Sequence, residues 1–394
     1  MNILIVANEF PYPANHGGKV DILNRILAFK NAGHRVFLIT WQGIKKGNVP
    51  TDDEKRFLEQ YVDKLIVLDI LRNWIRFVSL LIYPSLVAAR FISEKKYKEI
   101  LNESKAFSPD FIFIDNIYGA LIGQKLKEDL KLPIGVRLHN IESSYMKGQY
   151  LLSKGLKTRL SILGACLHLK SFEKGVISKS DAFFDISIDD LKYWTNKGFN
   201  HGHWLPPILS KSDLHIKPTK FDYNVGFLGN LNTPNNVEGI KWFVNSVLPL
   251  LLVKYPSLRI LILGSEPSDE VIALCNCQKS IELIPNPANP NIYLDRVNVL
   301  INPVKFGSGV NIKSVEMLMR DNEVVCTSVG IKGLPKEILD VFFIADTPEE
   351  FSQYILDIVL YDHKKSMQLR CELREMFKEK SIQKVINVMN SLIH

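Results

Sequence analysis

A chain of 394 residues exceeds the usual size of one hydrophobic core, so two domains of roughly 180 to 200 residues are expected. Its 46% hydrophobic and 23% charged residues, free of low-complexity tracts, exclude a disordered or fibrous chain; no run reaches the roughly 18 uncharged apolar residues of a membrane span. The net charge of +7 falls wholly in the first half: residues 1–200 carry 29 Lys/Arg and 21 Asp/Glu, residues 201–394 carry 20 and 21.

A basic half suits an anionic partner. No helix-turn-helix, zinc-finger or RNA-binding signature accompanies it, so an anionic membrane surface or acceptor is expected and nucleic acid is not. The chain runs from Met1 straight into an apolar strand, which reads as cytoplasmic. Five scattered cysteines make no disulfide framework. Cys275 and Cys277 lack a second pair at zinc-like spacing, so no metal is expected.

In chain order, residues 2–7 read as a strand, followed by a polar loop ending in Gly17 and Gly18. A helix over 19–31 then carries Ile22, Leu23, Ile26, Leu27 and Phe29 on one side, with Gly33 as C-cap and a strand over 35–40: a βαβ unit. Further strands are expected over 64–69, 110–115, 133–139 and 182–187. Short apolar runs without alternation indicate parallel strands covered on both faces. Residues 204–223, polar and proline-bearing, read as a linker. The second half repeats the plan, with strands over 223–229, 259–264, 281–285, 297–303, 323–328 and 341–346. Its first helix, 236–255, is expected to kink or divide near Pro249. Helical segments over 348–361, 363–380 and 382–393 close the chain. The domains expected are 1–205 and 206–380, with residues 381–394 as a helix that crosses back to the first. Ligands of such sheets sit beyond the carboxyl ends of the strands.

The stretch FGSGVNIKSVEML, residues 306–318, followed by the apolar run VVCTSVGIKGL, carries the most chemistry. Gly307, Ser308 and Gly309 let the backbone approach a diphosphate, and amides near Val310 and Asn311 point towards it from a helix N-terminus. Glu316 has two oxygens, enough to engage the vicinal diol of a ribose. Lys313, and less surely Lys305, would neutralise the diphosphate. Gly17 and Gly18 open the first helix, where a phosphate or an acceptor could approach closely. Lys19 in that first turn opposes the helix dipole, which a bound anion would offset. His139 closes a strand at the carboxyl edge of the first sheet.

These motifs resemble the nucleotide-binding signature of retaining, family-4 glycosyltransferases of the GT-B fold. The resemblance extends to FLGNLNTPNNVEGIKWFVNSVLPLL from Phe227, LILGSEP from Leu261, IADTPEEF from Ile344, the N-terminal PYPANHGGK and LHNIESSY from Leu138. It implies an α/β architecture of two doubly wound Rossmann-like domains facing across a cleft, with the acceptor in the first and the donor in the second. It implies ribose contact for Glu316, donor contact for Gly17, Gly18, Gly307, Ser308, Gly309, Val310 and Asn311, and roles next to the chemistry for His139 and Lys313. Glu142, in the HNxE pattern with His139 and Asn140, is read as capping or orienting the following helix. Two departures stand out. Ser308 occupies the place of a glutamate that in many members touches the transferred sugar, and residues 229–236 lack the Arg and Lys often found there. The diphosphate must then be held by Lys313, backbone amides or both.

Residues 71–91 mix Trp74, Phe77, Tyr83 and Phe91 with Arg72, Arg76 and Arg90, which suits a membrane interface or a buried core helix. A second basic stretch, 147–179, has Glu173 as its one acid and would reinforce contact with an anionic surface. The expected activity is transfer of a sugar from a nucleotide-diphosphate donor to a hydroxyl of a glycan or lipid-linked glycan, with retention and without metal or other cofactor, in surface polysaccharide synthesis. The protein would act in the cytoplasm, peripheral to the membrane. A sugar-nucleotide epimerase of the same fold, or a non-catalytic binder or partner subunit, remains open.

Overall fold

The structure, a computed structural model, describes every residue except 15, 16, 44–48, 72–77, 154, 210–220, 308, 379, 380 and 394. The chain forms two compact units, Met1–Ile208 with Glu379–His394, and Leu209–Lys378.

In the first unit, β1 (Asn2–Ala7), β2 (Arg35–Gln42), β3 (Lys64–Asp69), β4 (Phe111–Asp115), β5 (Ile134–Leu138), β6 (Ala182–Asp185) and β7 (Gly202–Trp204) make one sheet in the order β3-β2-β1-β4-β5-β6-β7. All its pairs are parallel, with Ile3 opposite both Val36 and Phe111. Alternate residues of each strand enter different cores: Leu4, Val6, Phe37 and Ile112 on one face, Ile3, Ile5, Val36 and Phe111 on the other. Both faces are covered, which is why these strands read as unbroken apolar runs. The C-terminal helix Ile382–Ile393 packs on the second face through Ile382, Val385, Ile386 and Met389, the i, i+3, i+4, i+7 spacing of an amphipathic stripe.

The second unit holds β8 (Tyr223–Asn230), β9 (Ile260–Ser265), β10 (Ile281–Pro285), β11 (Val297–Asn302), β12 (Glu323–Cys326) and β13 (Phe343–Ile344) in the order β10-β9-β8-β11-β12-β13, again all parallel. In both sheets the strand order reverses beside the first strand, between β1 and β4 and between β8 and β11. Connections leave in opposite directions there and open a crevice at the carboxyl ends of the strands.

Sequence expectations are met in part and corrected in part. The helix expected over 236–255, kinked or divided near Pro249, is divided just before it: Pro234–Trp242 is followed by a π-helical turn, Phe243–Val247, in which Leu248 N–H donates to the Phe243 carbonyl, and then by Leu248–Lys254. Pro249, lacking a donor, thus falls in a first helical turn where none is required, and the π turn absorbs the change of register. The linker is narrower than 204–223, because Trp204 pairs in β7, Leu205 and Ile208 are buried, and Tyr223 already opens β8; residues 210–220 lie outside the described residues. Helix over 363–380 shrinks to Met367–Arg374 and a 3-10 turn, since Ser366 caps it by accepting from Leu369 N–H at 3.3 Å.

In the 71–91 segment, Arg72, Trp74, Arg76 and Phe77 lie outside the described residues. Tyr83 and Phe91 do not face outward as membrane anchors: they pack edge to face on each other, and Tyr83 also on Phe172. Arg90 donates to the carbonyls of Asn8 and Leu86. Among the described residues no helix is long and apolar enough to cross a membrane.

Candidate functional site

The chemistry-bearing residues gather at the carboxyl ends of the strands, one group in each unit. In the second unit the loop after β11 leads through Gly307 and Gly309 into α8, our label for the helix Ile312–Leu318. Gly309 has φ +72°, the left-handed region where a side chain is strained. Val310 precedes the N-cap, Asn311, whose side chain makes no capping bond. Ser308 lies outside the described residues. Ser314, fully buried, fixes the helix: its hydroxyl donates to the Gly330 carbonyl at 2.6 Å and accepts from Asn302 Nδ2 at 2.8 Å.

Lys313 and Glu316, three residues apart, share one side of α8. Lys313 Nζ donates to Asn236 Oδ1 at 2.8 Å, reaches Asn302 Oδ1 at 3.5 Å, and lies 4.2 Å from the centre of the Phe227 ring. Gly229 leaves it room, since a Cβ there would stand 3.3 Å from Nζ and 2.8 Å from Asn236 Nδ2. Both side chains keep a partly exposed edge, yet protein surrounds them closely. Burial pulls the Lys313 ammonium down to about 7, with Glu316 opposing the shift. Burial likewise pushes the Glu316 carboxyl up to about 7, opposed by Lys313. An ammonium held by neutral amides and a carboxylate without a protein hydrogen bond among the described residues are both under-compensated. Each would gain from a ligand bringing an anion to the first and hydroxyl donors to the second. Lys305 is engaged elsewhere, donating to the Asp346 carbonyl at 2.8 Å and lying 4.4 Å from the Trp242 ring centre.

In the first unit Gly17 and Gly18 are the first residues of α1 (Gly17–Asn31), and both are half-buried. One turn on, Asp21 begins a buried ion network. It pairs with Arg25 at 2.8 Å and with Arg137 at 3.1 Å, while Arg25 also pairs with Asp115 and Arg137 with the Leu205 carbonyl. Burial alone would raise the Asp21 carboxyl, but Arg137, Arg25 and His139 outweigh it and hold it well below the usual range. His139, 14% exposed, follows β5; its Nε2 lies 3.0 Å from Asp21 Oδ2 and 3.4 Å from Asp115 Oδ1. The network therefore sets the imidazole against two carboxylates at the edge of the sheet.

Glu142 does not cap its helix, Glu142–Leu152. Its carboxylate accepts from Tyr118 Oη at 2.8 Å and Asn116 Nδ2 at 3.2 Å. The cap comes from Glu173, which accepts from Glu142 N–H at 2.6 Å and from the Ser143 hydroxyl at 2.8 Å. Burial pushes the Glu173 carboxyl up to about 7 and also raises that of Glu142. Cys275 is buried and Cys277 exposed, so the two thiols of the CNC face different surroundings; among the described residues no His/Cys/Asp/Glu group is arranged to hold a metal.

Sequence reasoning missed Asn236, Asn302, Asp21, Asp115 and Arg137. The asparagines resemble ordinary helix-start and strand-end residues. The signal for the others was a charge inside an apolar element, as with Asp21 beside Ile22 and Leu23, or Arg137 within β5.

No protein-family model matches the chain. An uncharacterized 44.6 kDa protein in the cps region of Klebsiella pneumoniae is 27% identical over 378 residues, 90% of each chain. Among solved structures, TarM superposes with a TM-score of 0.68 at 12% identity, covering 99% of both chains. Anabaena Alr3699/HepE in complex with UDP gives 0.66 at 12% identity over 100% of both. A mutant of S. aureus TarM, in complex with Fondaparinux, alpha-GlcNAc-glycerol and UDP, gives 0.66 at 12% identity over 99% of this chain and 100% of that one. These neighbours are glycosyltransferases, and at such identities the likeness is one of fold: two parallel-sheet α/β units in the GT-B arrangement of elements.

Proposed function

We propose that the chain is a glycosyltransferase that moves a sugar from a nucleotide-diphosphate donor to a hydroxyl of a glycan or lipid-linked glycan, in surface polysaccharide synthesis. The observation that carries this reading is the pair on α8: Lys313, aimed by Asn236 and Asn302, with Glu316 beside it at the strand-order reversal of the second sheet. In this reading the second unit binds the donor. Glu316 accepts from the ribose hydroxyls, the Gly307 to Asn311 backbone lies along the diphosphate, and Lys313 meets the charge that grows on the departing diphosphate. That ammonium serves where other enzymes use a metal, so transfer without one is part of the proposal. The first unit binds the acceptor, with His139 at its sheet edge, and the family-4 resemblance gives its Gly17–Gly18 turn a contact with the donor.

Retention at the anomeric carbon rests on the family-4 resemblance. UDP in the HepE and TarM complexes, and the glycan ligands of the latter, support a nucleotide-sugar donor and a glycan acceptor. The cps-region relative supports a place in polysaccharide synthesis, and a lipid-linked acceptor puts the protein at the cytoplasmic face of a membrane as a peripheral protein.

The test is incubation with UDP-, GDP- and dTDP-sugars, following free nucleotide with and without glycan acceptors. Acceptor-dependent release is expected with one donor class. Conversion of the donor sugar itself, or tight binding with no turnover of any donor, overturns transfer.

A further inference from the structure

The helix Leu156–Cys166, which we label α4, carries a ridge of leucines turned to solvent. Leu156, Leu160, Leu163 and the adjoining Leu167 are 44% to 75% exposed. At about 100° per residue the four fall within roughly 60° of arc, so they form one line along the helix. Ala165, on the opposite side, is buried, and Gly164, beside the ridge, faces Ser85. Exposed Val78, Leu81 and Ile82 lie in the segment just before Ser85. Such contiguous apolar exposure is unusual for a surface with no partner.

Charge says what covers it. Lys157 and Arg159, both exposed, flank the ridge on opposite sides, and Lys147 and Lys170, on the preceding and following helices, are exposed. Across residues 147–179 seven Lys/Arg stand against Glu173 alone, and Glu173 is buried in its capping role. A cavity lined by His168, Lys170, Ser171 and Lys174 adjoins the end of the ridge. Two copies of the chain meeting on this face would set like charges against like.

We propose that the α4 leucine ridge, with its flanking lysines and arginine, is a docking surface for an anionic phospholipid bilayer. The helix lies along the interface, its leucines reach the acyl boundary, and Lys157 and Arg159 extend sideways to the phosphates. This names the surface for the peripheral position proposed above and rests on that part of the reading alone, independent of the transfer chemistry.

The test is co-sedimentation of the full chain with phosphatidylcholine vesicles, with or without about one-third phosphatidylglycerol. Binding is expected only with phosphatidylglycerol and is expected to fall as salt rises. Leu160→Ser with Leu163→Ser, and separately Lys157→Ala with Arg159→Ala, should each weaken it about tenfold or more, while circular dichroism and nucleotide release with a soluble acceptor stay unchanged. Equal binding to neutral vesicles, no binding, or binding unaffected by both variant pairs overturns the proposal. Leucine-dependent self-association without vesicle binding overturns it in favour of a second copy of the chain. Vesicle binding by a protein that turns over no sugar nucleotide supports the surface and removes only the transferase reading.

Discussion

Lys313 and Asn236, 77 residues apart in the chain, meet at 2.8 Å, and the amide that aims the ammonium comes from the first turn of the helix Pro234–Trp242, at the end of the 229–236 segment that lacks both Arg and Lys. That segment thus contributes by directing a cation supplied by α8. Asn236→Ala is expected to weaken donor binding by about 1.5 to 3 kcal/mol, the scale of one hydrogen bond to a charged group. Lys313→Met, which removes the charge itself, should lower kcat by about a hundredfold or more. Calorimetry and steady-state kinetics on the two variants check this; an unchanged kcat in Lys313→Met would exclude the lysine from leaving-group stabilisation.

The Glu316 carboxylate makes no hydrogen bond to protein among the described residues; only its backbone carbonyl is used, accepting from Met319 N–H at 3.2 Å, a bond that a side-chain change leaves in place. Glu316→Ala should therefore leave the melting temperature nearly unchanged while weakening donor binding by about 1.5 to 3 kcal/mol. A nucleotide lacking both ribose hydroxyls should bind the variant and the parent protein alike. Full donor affinity in the variant would remove Glu316 from the site.

The same pair sets a pH profile. A diphosphate favours the Lys313 ammonium, so the complex holds that proton to higher pH than the free protein, where burial has pulled it down to about 7. Affinity then falls as pH rises above about 7. Ribose hydroxyls favour ionised Glu316, which burial has pushed up to about 7 in the free protein, so affinity also falls as pH drops below about 7. The result is a bell centred near neutrality whose limbs belong to the coupled pair. Donor affinity measured against pH should lose its acid limb in Glu316→Gln and its alkaline limb in Lys313→Met. A flat profile in the parent protein would contradict both assignments.

The strands were legible because parallel strands, covered on both faces, are continuous apolar runs: β1, buried from Ile3 to Ala7, is read to the residue. β7 was not, since Gly202, His203 and Trp204 form a strand only by pairing with β6; a Cβ on Gly202 would stand 2.2 Å from the Phe183 ring. The division near Pro249 was legible, because proline removes a backbone donor, but the π turn over Phe243–Val247 that accommodates it was not. Local spacing suggested that Glu142 caps or orients its helix; its carboxylate ties the helix start to Asn116 and Tyr118, whereas the cap comes from Glu173, 31 residues away, and pairings at that range leave no trace in a local pattern. Asn236 and Asn302 were hidden for a related reason: a neutral amide acquires its role only from the cation placed against it.

Asp21 and His139 are in contact at 3.0 Å, and their substitution should separate stability from chemistry. Asp21 is fully buried and bonded to two arginines. Asp21→Asn leaves Arg137 without its carboxylate partner and is expected to cost about 3 to 5 kcal/mol, the scale for breaking one side of a buried ion pair. Because the folded-state carboxyl is held well below its ordinary value of 3.8, the stability it contributes is present above that value and is lost as pH falls below it. Denaturant unfolding followed from neutral to acid pH should thus show a shallower acid loss in Asp21→Asn than in the parent protein. His139→Ala leaves both arginine pairs of Asp21 in place, so its midpoint should shift by no more than about 1 kcal/mol, while acceptor-dependent nucleotide release falls. Loss of stability in His139→Ala as large as in Asp21→Asn would make the imidazole a structural member of the network and remove it from the chemistry.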